Sequence, residues 1–272
     1  VLGHPIEHSL SPTLHRAAYE ALGLDWEYTA QDVTQDGLRN FLATCDSSWV
    51  GVSLTMPLKV EVLAHLATAT PDVSLARAAN TVLFDGGALH GHNTDITGMV
   101  SALRERGIEQ LGLATIVGTG ATARSAMVAL ARMGASAVHV VGRSPDGRHD
   151  LVALGGELGV QVIETELAGP EVEGALAADV VVTTIPSAAA ASLTTHLPAA
   201  KHGVLFDVLY DPWPTPIAQA WQGPVLGGLD LLVHQAVGQL ELMTGRAVPV
   251  EVLRRAGVAA LTARASAVRP LD

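Results

Sequence analysis

Cysteine is almost missing from this chain of 272 residues, where Cys45 is the only one. That excludes an internal disulfide and any metal site built from several thiolates, and a reducing, cytoplasmic setting is the expectation. Runs of basic residues are missing too: 16 Lys and Arg stand against 27 Asp and Glu, a formal net charge of −11. With no cationic stripe to neutralise phosphates, no nucleic-acid partner is expected. An anionic ligand must then be met by local positive groups and backbone amides. No apolar run is long enough to span a bilayer, so no membrane role is expected. The opening Val1-Leu2-Gly3-His4-Pro5 lacks a basic segment followed by an apolar stretch and does not read as a signal peptide. It reads as a strand entered directly, with a few residues expected before Val1. The 11 histidines form no metal constellation: His4, His8 and His15 lack a carboxylate partner set, and His90-Gly91-His92 lacks a third ligand. No metal is expected. There is no internal repeat and no nucleophile elbow of the kind that serves a hydrolytic serine.

What is present is a large apolar fraction. At 49% hydrophobic the chain can bury a sizeable core and is not disordered; its length suits one large domain or two smaller ones. Ser11-Pro12 reads as a helix start, Ser as N-cap and Pro in the first turn, with Leu14, Ala18 and Leu22 on one face and Gly23 as the stop. Glu27 to Ala30 and Trp49 to Leu54 read as strands, and Val60 to Leu66 as a helix beginning just after Lys59. Asp85-Gly86-Gly87 between Thr81–Phe84 and Ala88–His90 is a hairpin signal. Met99 to Glu105 reads as a connecting helix. From Leu113 onward, short β-branched runs alternate with alanine-rich helices, the pattern of a parallel sheet with crossover helices. The strand candidates there are Ala114–Val117, Ala137–Val141, Val160–Ile163, Asp179–Thr184 and Val204–Val208. Leu229–Thr244 and Val250–Ala265 read as closing helices.

Three strings carry chemistry. Gly118-Thr119-Gly120-Ala121-Thr122-Ala123 follows a strand and opens a helix. This is the pattern in which the first Gly makes a tight turn, the second admits a pyrophosphate, and Ala123 packs the helix against the strand. The next strand ends in Gly142-Arg143-Ser144, with Arg148 nearby, rather than in the Asp or Glu that holds a ribose 2′-hydroxyl. A cation there suits a 2′-phosphate and favours NADP over NAD. Thr55-Met56-Pro57-Leu58-Lys59 and Asn93-Thr94-Asp95-Ile96-Thr97-Gly98 each set an ionisable side chain among small polar neighbours. A lysine and an aspartate beside a nicotinamide can move a proton while the cofactor moves a hydride.

The string from Gly3 to His15 (GHPIEHSLSPTLH) resembles the opening motif of the shikimate dehydrogenases. Thr55–Lys59, Ala79-Asn80-Thr81, Asn93–Gly98, Tyr210-Asp211-Pro212-Trp213-Pro214-Thr215 and Gly228 to Gln235 follow that family's order and spacing, and the likeness to its actinobacterial members is the strongest. The resemblance implies an α/β fold of two domains: an N-terminal α/β substrate domain from residues 1–97 and 229–272, and a Rossmann-like dinucleotide-binding domain from 98–228. It implies NADPH-dependent reduction of 3-dehydroshikimate to shikimate on the route to aromatic amino acids, by a monomer or homodimer. Carried over, Lys59 and Asp95 are the catalytic pair, and Ser9, Ser11, Thr55, Asn80, Tyr210 and Gln235 bind substrate. Gly118, Thr119, Gly120, Ala121, Thr122, Arg143, Ser144, Arg148, Thr184, Val208, Gly228 and Leu231 line the cofactor.

The chain departs from the family pattern at Ser53 (often Asn), Gly142 (often Asn), the spacing of Arg148, Thr in place of Asn in Thr183-Thr184, and Asp230-Leu231 (commonly Gly-Met). Two alternatives stay open: a quinate or aminoshikimate dehydrogenase using NAD or NADP, and a non-catalytic NADP-binding sensor.

Overall fold

The computed structural model describes residues 1–199 and 203–267. The chain forms two compact units, Val1–Thr94 with the segment from Leu232, and Asp95–Leu231. The expected domains included residues 200–202 and 268–272, which lie outside the described residues.

In the first unit the elements run β1 (Leu2–Gly3), α1 (Ser11–Leu22), β2 (Gln31–Asp32), α2 (Gln35–Thr44), β3 (Gly51–Ser53), α3 (Leu58–Glu61) continued by a 3-10 turn at Val62–His65, β4 (Thr68–Ala69), α4 (Pro71–Ala76), β5 (Thr81–Asp85) and β6 (Ala88–His92). One sheet has the order β3-β5-β6-β4, antiparallel except for the β6–β4 pair. β1 and β2 pair in parallel beside it, and Leu2 bridges to Leu54. The expected hairpin forms: Gly86 and Gly87 have φ of 54° and 86°, two successive left-handed residues of the kind a tight β-hairpin requires. Leu2, Leu38, Leu54, Leu58, Val62 and Val82 belong to one apolar cluster beneath this sheet.

Several local expectations shift: the strand expected at Trp49–Leu54 shortens to Gly51–Ser53, and the helix expected from Met99 begins at Thr94. Leu10, not Ser11, is the N-cap of α1; the Leu10 carbonyl already accepts from Leu14 N at 3.1 Å, so Ser11 lies inside the helix. The strand expected at Glu27–Ala30 forms instead at Gln31–Asp32. The Tyr28 carbonyl accepts from Arg16 Nε and Nη2 at 3.1 and 2.8 Å, and a carbonyl so occupied has no need of a ladder partner. The helix expected from Val60 starts two residues earlier, so Lys59 lies within α3.

The second unit begins in α5 (Thr94–Glu105) and continues as β7 (Leu113–Val117), α6 (Ala121–Arg132), β8 (Ala137–Gly142), α7 (Pro145–Leu158), β9 (Gln161–Glu166), α8 (Val172–Leu176), β10 (Val180–Thr183), α9 (Ser187–Ala190) with a 3-10 extension to His196, β11 (Val204–Asp207), α10 (Pro216–Ala220) and β12 (Val225–Leu226). Its six-stranded sheet has the order β12-β11-β10-β7-β8-β9, and every pairing is parallel. The chain starts in the middle, winds outward to β9, then returns to the other side of β7. That reversal is the doubly wound topology, whose ligand crevice lies at the carboxyl ends of the strands on either side of the switch, here β7 and β10. All four residues of β10 are buried, as expected of a strand inside such a sheet. The five strands expected here form with boundaries moved by at most three residues, the largest shift being the end of β9 from Ile163 to Glu166.

The last elements are α11 (Gly228–Thr244) and α12 (Val250–Ala267). α12 packs on α1, and Arg264 Nη1 donates to the His8 carbonyl at 2.9 Å, tying the C-terminal helix to the opening loop. Among the described residues no helix is long and apolar enough to cross a membrane.

Candidate active site

Main-chain hydrogen bonds gather the separate strings of the first unit. Thr55 N donates to Leu2 O at 2.9 Å, His4 N to Met56 O at 3.0 Å, Leu54 N to Asn80 O at 2.8 Å and Ala79 N to Lys59 O at 2.8 Å. Asn80 N donates to His92 O at 3.1 Å. The opening loop, the Thr55–Lys59 turn, Asn80 and the end of β6 therefore hold one another with backbone groups alone.

Side chains finish the arrangement. Asn80 is 1% exposed. Its Oδ1 accepts from Thr94 N at 2.8 Å and Thr81 Oγ1 at 2.9 Å, and its Nδ2 donates to Thr94 Oγ1 at 2.9 Å and Gln235 Oε1 at 3.3 Å. Asn93 Nδ2 donates to Ala78 O at 2.9 Å. Asn80 and Gln235 are thus brought together, and Asn80 holds the start of α5. Ser9 Oγ accepts from Ser11 N at 3.3 Å and so serves an amide of the first turn of α1. Ser11 is buried, and Ser53 and Ser11 both hydrogen-bond the Tyr28 hydroxyl. Ser53, where the family pattern often has Asn, is therefore engaged with Tyr28. Lys59 and Thr55 are half-buried. Lys59 belongs to the first unit; Asp95, buried in the first turn of α5, is the first residue of the second. A carboxylate in that turn is favoured by the helix dipole.

In the second unit the loop after β7 is shaped by Gly118, with φ of 116°, a conformation open to glycine and strained for other residues. A Cβ there would run into Thr184 Oγ1 and Ile185. Thr184 in turn donates to Val117 O from N at 2.8 Å and from Oγ1 at 3.0 Å, so the ends of β7 and β10 are locked together at the switch point. Gly120 is the N-cap of α6 and supplies no side-chain cap, and a Cβ on it would meet open space. Uncapped amides at a helix start facing open space form an anion cradle. Thr119 leans away from that space: Cβ atoms on Gly142 and Gly147 would collide with its side chain. This accounts for glycine at 142, where the family pattern often has Asn.

A cavity of about 400 Å³ is lined by Gly118, Thr119, Gly142, Arg143, Ser144 and Ile185, among others. Arg143 is exposed at it. Ser144 Oγ caps α7 by accepting from Gly147 N at 3.1 Å. Arg148 donates from Nη1 to Gly142 O at 2.6 Å, and its Nε lies 3.5 Å from Glu164 Oε2. It braces the loop, and Arg143 is the cation that lines the cavity. The glycine cradle, the helix start and this cation fit the pyrophosphate and 2′-phosphate of NADP.

Val208, Gly228 and Leu231 lie close in the fold: a Cβ on Gly228 would strike the Val208 carbonyl, and Gly228 opens α11. Tyr210 is half-buried in the loop after β11. That loop is anchored by Asp207, which the sequence reading overlooked. Asp207 Oδ2 accepts from Thr215 Oγ1 at 2.5 Å and Oδ1 from Leu209 N at 3.2 Å. Burial raises its pKa above the ordinary carboxylate value, against the pull of those bonds and one from Thr183. Asp230 likewise caps α11, accepting from Gly227 N at 3.1 Å. Also overlooked was Gln239, which donates to Thr81 Oγ1 at 3.0 Å and faces His15. A second glutamine four residues after Gln235 in a largely apolar helix was the available signal, since i and i+4 share a face. Among the described residues no group of three or more His, Cys, Asp or Glu is set to hold a metal ion.

A doubly wound parallel sheet with a glycine cradle at its switch point defines a dinucleotide-binding α/β protein. Residues 1–82 match the shikimate dehydrogenase substrate binding domain, and residues 228–256 match the shikimate 5′-dehydrogenase C-terminal domain. The shikimate dehydrogenase (NADP(+)) of Citrifermentans bemidjiense is 36% identical, with 96% of this chain and 94% of that protein covered. Among solved structures, Mycobacterium tuberculosis shikimate dehydrogenase superposes with a TM-score of 0.88 at 40% identity, covering 94% of this chain and 97% of that one. The Thermus thermophilus enzyme, solved with NADP(H) and shikimate, gives 0.82 at 31% identity over 96% and 98%. The chain belongs to the shikimate dehydrogenase family.

Proposed function

We propose that this protein catalyses the reversible, NADP-dependent reduction of 3-dehydroshikimate to shikimate, using Asp95–Leu231 for the dinucleotide and the remainder for the substrate. The observation that carries the reading is the hydrogen-bonded convergence, in one unit, of the Thr55–Lys59 turn, Asn80, Thr94 and Gln235. The curated relative from Citrifermentans bemidjiense carries this activity in its name, and the Thermus thermophilus structure holds both ligands.

Bound NADPH supplies the hydride that reaches the C3 carbonyl carbon. Lys59 Nζ donates the proton that the carbonyl oxygen gains, so the ketone becomes an alcohol with one hydride and one proton added. General acid catalysis of this kind is worth roughly 10²–10⁴-fold. Asp95 orients Lys59 and accepts from a ring hydroxyl. Ser9, Ser11 and Tyr210 meet the carboxylate, while Thr55, Asn80 and Gln235 meet carboxylate or hydroxyls. Gly118, Thr119, Gly120, Ala121 and Thr122 meet the pyrophosphate; Arg143, supported by Ser144 and Arg148, meets the 2′-phosphate; Thr184, Val208, Gly228 and Leu231 flank the nicotinamide half. The enzyme works in the cytoplasm as a monomer or homodimer, which light scattering would resolve.

The test is initial-rate oxidation of shikimate, with quinate as control, against NADP⁺ and NAD⁺ in parallel. Rapid turnover is expected only with shikimate and NADP⁺. Turnover of quinate, or with NAD⁺, would move the chain to a neighbouring activity, and no turnover with any pair would leave a binding protein.

A further inference from the structure

His15 has no role in the reaction above, yet it is fully buried and ends a chain of side chains that leads to Asn80 and Gln235. We infer that His15 and Gln239 are positioning residues that, through Thr81, hold the Asn80 and Gln235 amides in the orientation that the surrounding main-chain groups select. The relay itself stands on geometry; only its importance for substrate binding rests on the shikimate reading.

The direction follows from main-chain groups, which cannot exchange roles. The Asn80 carbonyl can only accept; it does so from Leu54 N at 2.8 Å, and Gln239 Nε2 lies 3.3 Å from it. Gln239 must therefore present its NH₂ to that carbonyl and to Thr81 Oγ1, 3.0 Å away. Its Oε1 is left facing His15 Nε2 at 3.1 Å, so that ring nitrogen carries the proton. Thr81, accepting from Gln239, donates to Asn80 Oδ1 at 2.9 Å. Thr94 N, which can only donate, reaches the same oxygen at 2.8 Å. Asn80 is then obliged to turn Nδ2 toward Thr94 Oγ1 and Gln235 Oε1, and Gln235 turns its own Nε2 to Leu232 O at 2.9 Å. Each donor in the series points from His15 toward Gln235.

The surroundings of the ring agree. Tyr28 stacks on it at 4.0 Å and Tyr19 meets it edge-on at 6.1 Å. Among the described residues Nδ1 has no hydrogen-bond partner, a position that suits a bare acceptor far better than an N–H. Burial lowers the His15 pKa to about 3, so the ring is neutral, and the two tyrosines that face it are held protonated by burial.

His15→Phe keeps the stack on Tyr28 and removes the donor, while His15→Gln restores a donor. The expected result is a KM for shikimate raised ~10-fold in His15→Phe with little change in kcat, the signature of lost binding rather than lost chemistry. NADPH binding followed by fluorescence should be unchanged, and His15→Gln should recover most of the loss. A His15→Phe enzyme with altered melting temperature and unchanged KM would overturn the proposal. A second measurement needs no turnover and no variant: long-range ¹H–¹⁵N NMR of the native protein should find the His15 proton on Nε2 and no titration between about pH 5 and 8. A proton on Nδ1, or titration in that window, would sink the relay even if shikimate is the substrate. Conversely, absence of shikimate turnover would sink the functional reading while the NMR result still tests the relay.

Discussion

The two units present polar groups by opposite means. In Asp95–Leu231 the candidate site is backbone: a left-handed Gly118, an uncapped helix start at Gly120, and glycines at 142 and 147 that make room for Thr119. In Val1–Thr94 with the C-terminal helices it is side chain: buried amides, hydroxyls and one imidazole, each holding the next. A backbone site fails when bulk is added, because its donors are set by φ and ψ. A side-chain site fails when one member is removed, because its neighbours lose their orientation and are left buried and unpaired.

The largest effect that would test this contrast is the loss of dinucleotide binding in Gly118→Val. A β-branched residue at φ of 116° is strained, and its Cβ meets Thr184 and Ile185. NADPH titration should detect no binding, while the first unit keeps its native hydrogen-exchange protection. Retained NADPH affinity would mean that the loop does not depend on that backbone conformation.

Next in size is Lys59→Ala. It removes one side chain from the first unit and leaves the glycine cradle untouched. kcat should fall by at least ~10²-fold with NADPH affinity unchanged. Unchanged turnover would remove Lys59 as proton donor, and weakened NADPH binding would mean that the two sites are not built independently.

The same contrast explains what was legible in the sequence. Backbone sites write themselves as glycine spacing, so Gly118-Thr119-Gly120 and the β-branched runs of the parallel sheet could be read directly. The hairpin at Gly86-Gly87 was legible for the same reason. The substrate-binding side chains were legible only through resemblance, because Ser9, Asn80 and Gln235 are far apart in sequence and carry no local pattern. Gln239 and Asp207 were missed altogether; their partners lie across folded elements, at Thr81 and Thr215. Boundaries slipped where side chains overrode local signals. Arg16 claims the Tyr28 carbonyl, so the strand starts at Gln31, and Leu10 takes the cap position expected of Ser11.

The smallest effect, and the finest test of the comparison, is pH. Burial disfavours the charged form of a base in the first unit, His15, and of an acid in the second, Asp207. The His15 pKa falls from 6.5 to about 3 through burial. Its contribution to stability is therefore complete above 6.5 and is lost as pH falls toward 3, by at most about 1.4 kcal/mol per pH unit. The Asp207 pKa is raised from 3.8 by burial, only partly offset by Thr215, Leu209 and Thr183. Its contribution is complete below 3.8 and is lost as pH rises through the raised value. Acid should thus weaken the first unit through His15, while Asp207 makes the second unit favour acid. Hydrogen exchange of β5 and of β10 measured against pH separates the two. Relative to wild type, His15→Phe should flatten the acid loss at β5 alone, and Asp207→Asn should flatten the opposite slope at β10 alone, by a smaller amount because its hydrogen bonds offset part of the burial. If both variants altered both strands equally, the units would unfold as one, and the division between a backbone-built and a side-chain-built half would have no energetic meaning.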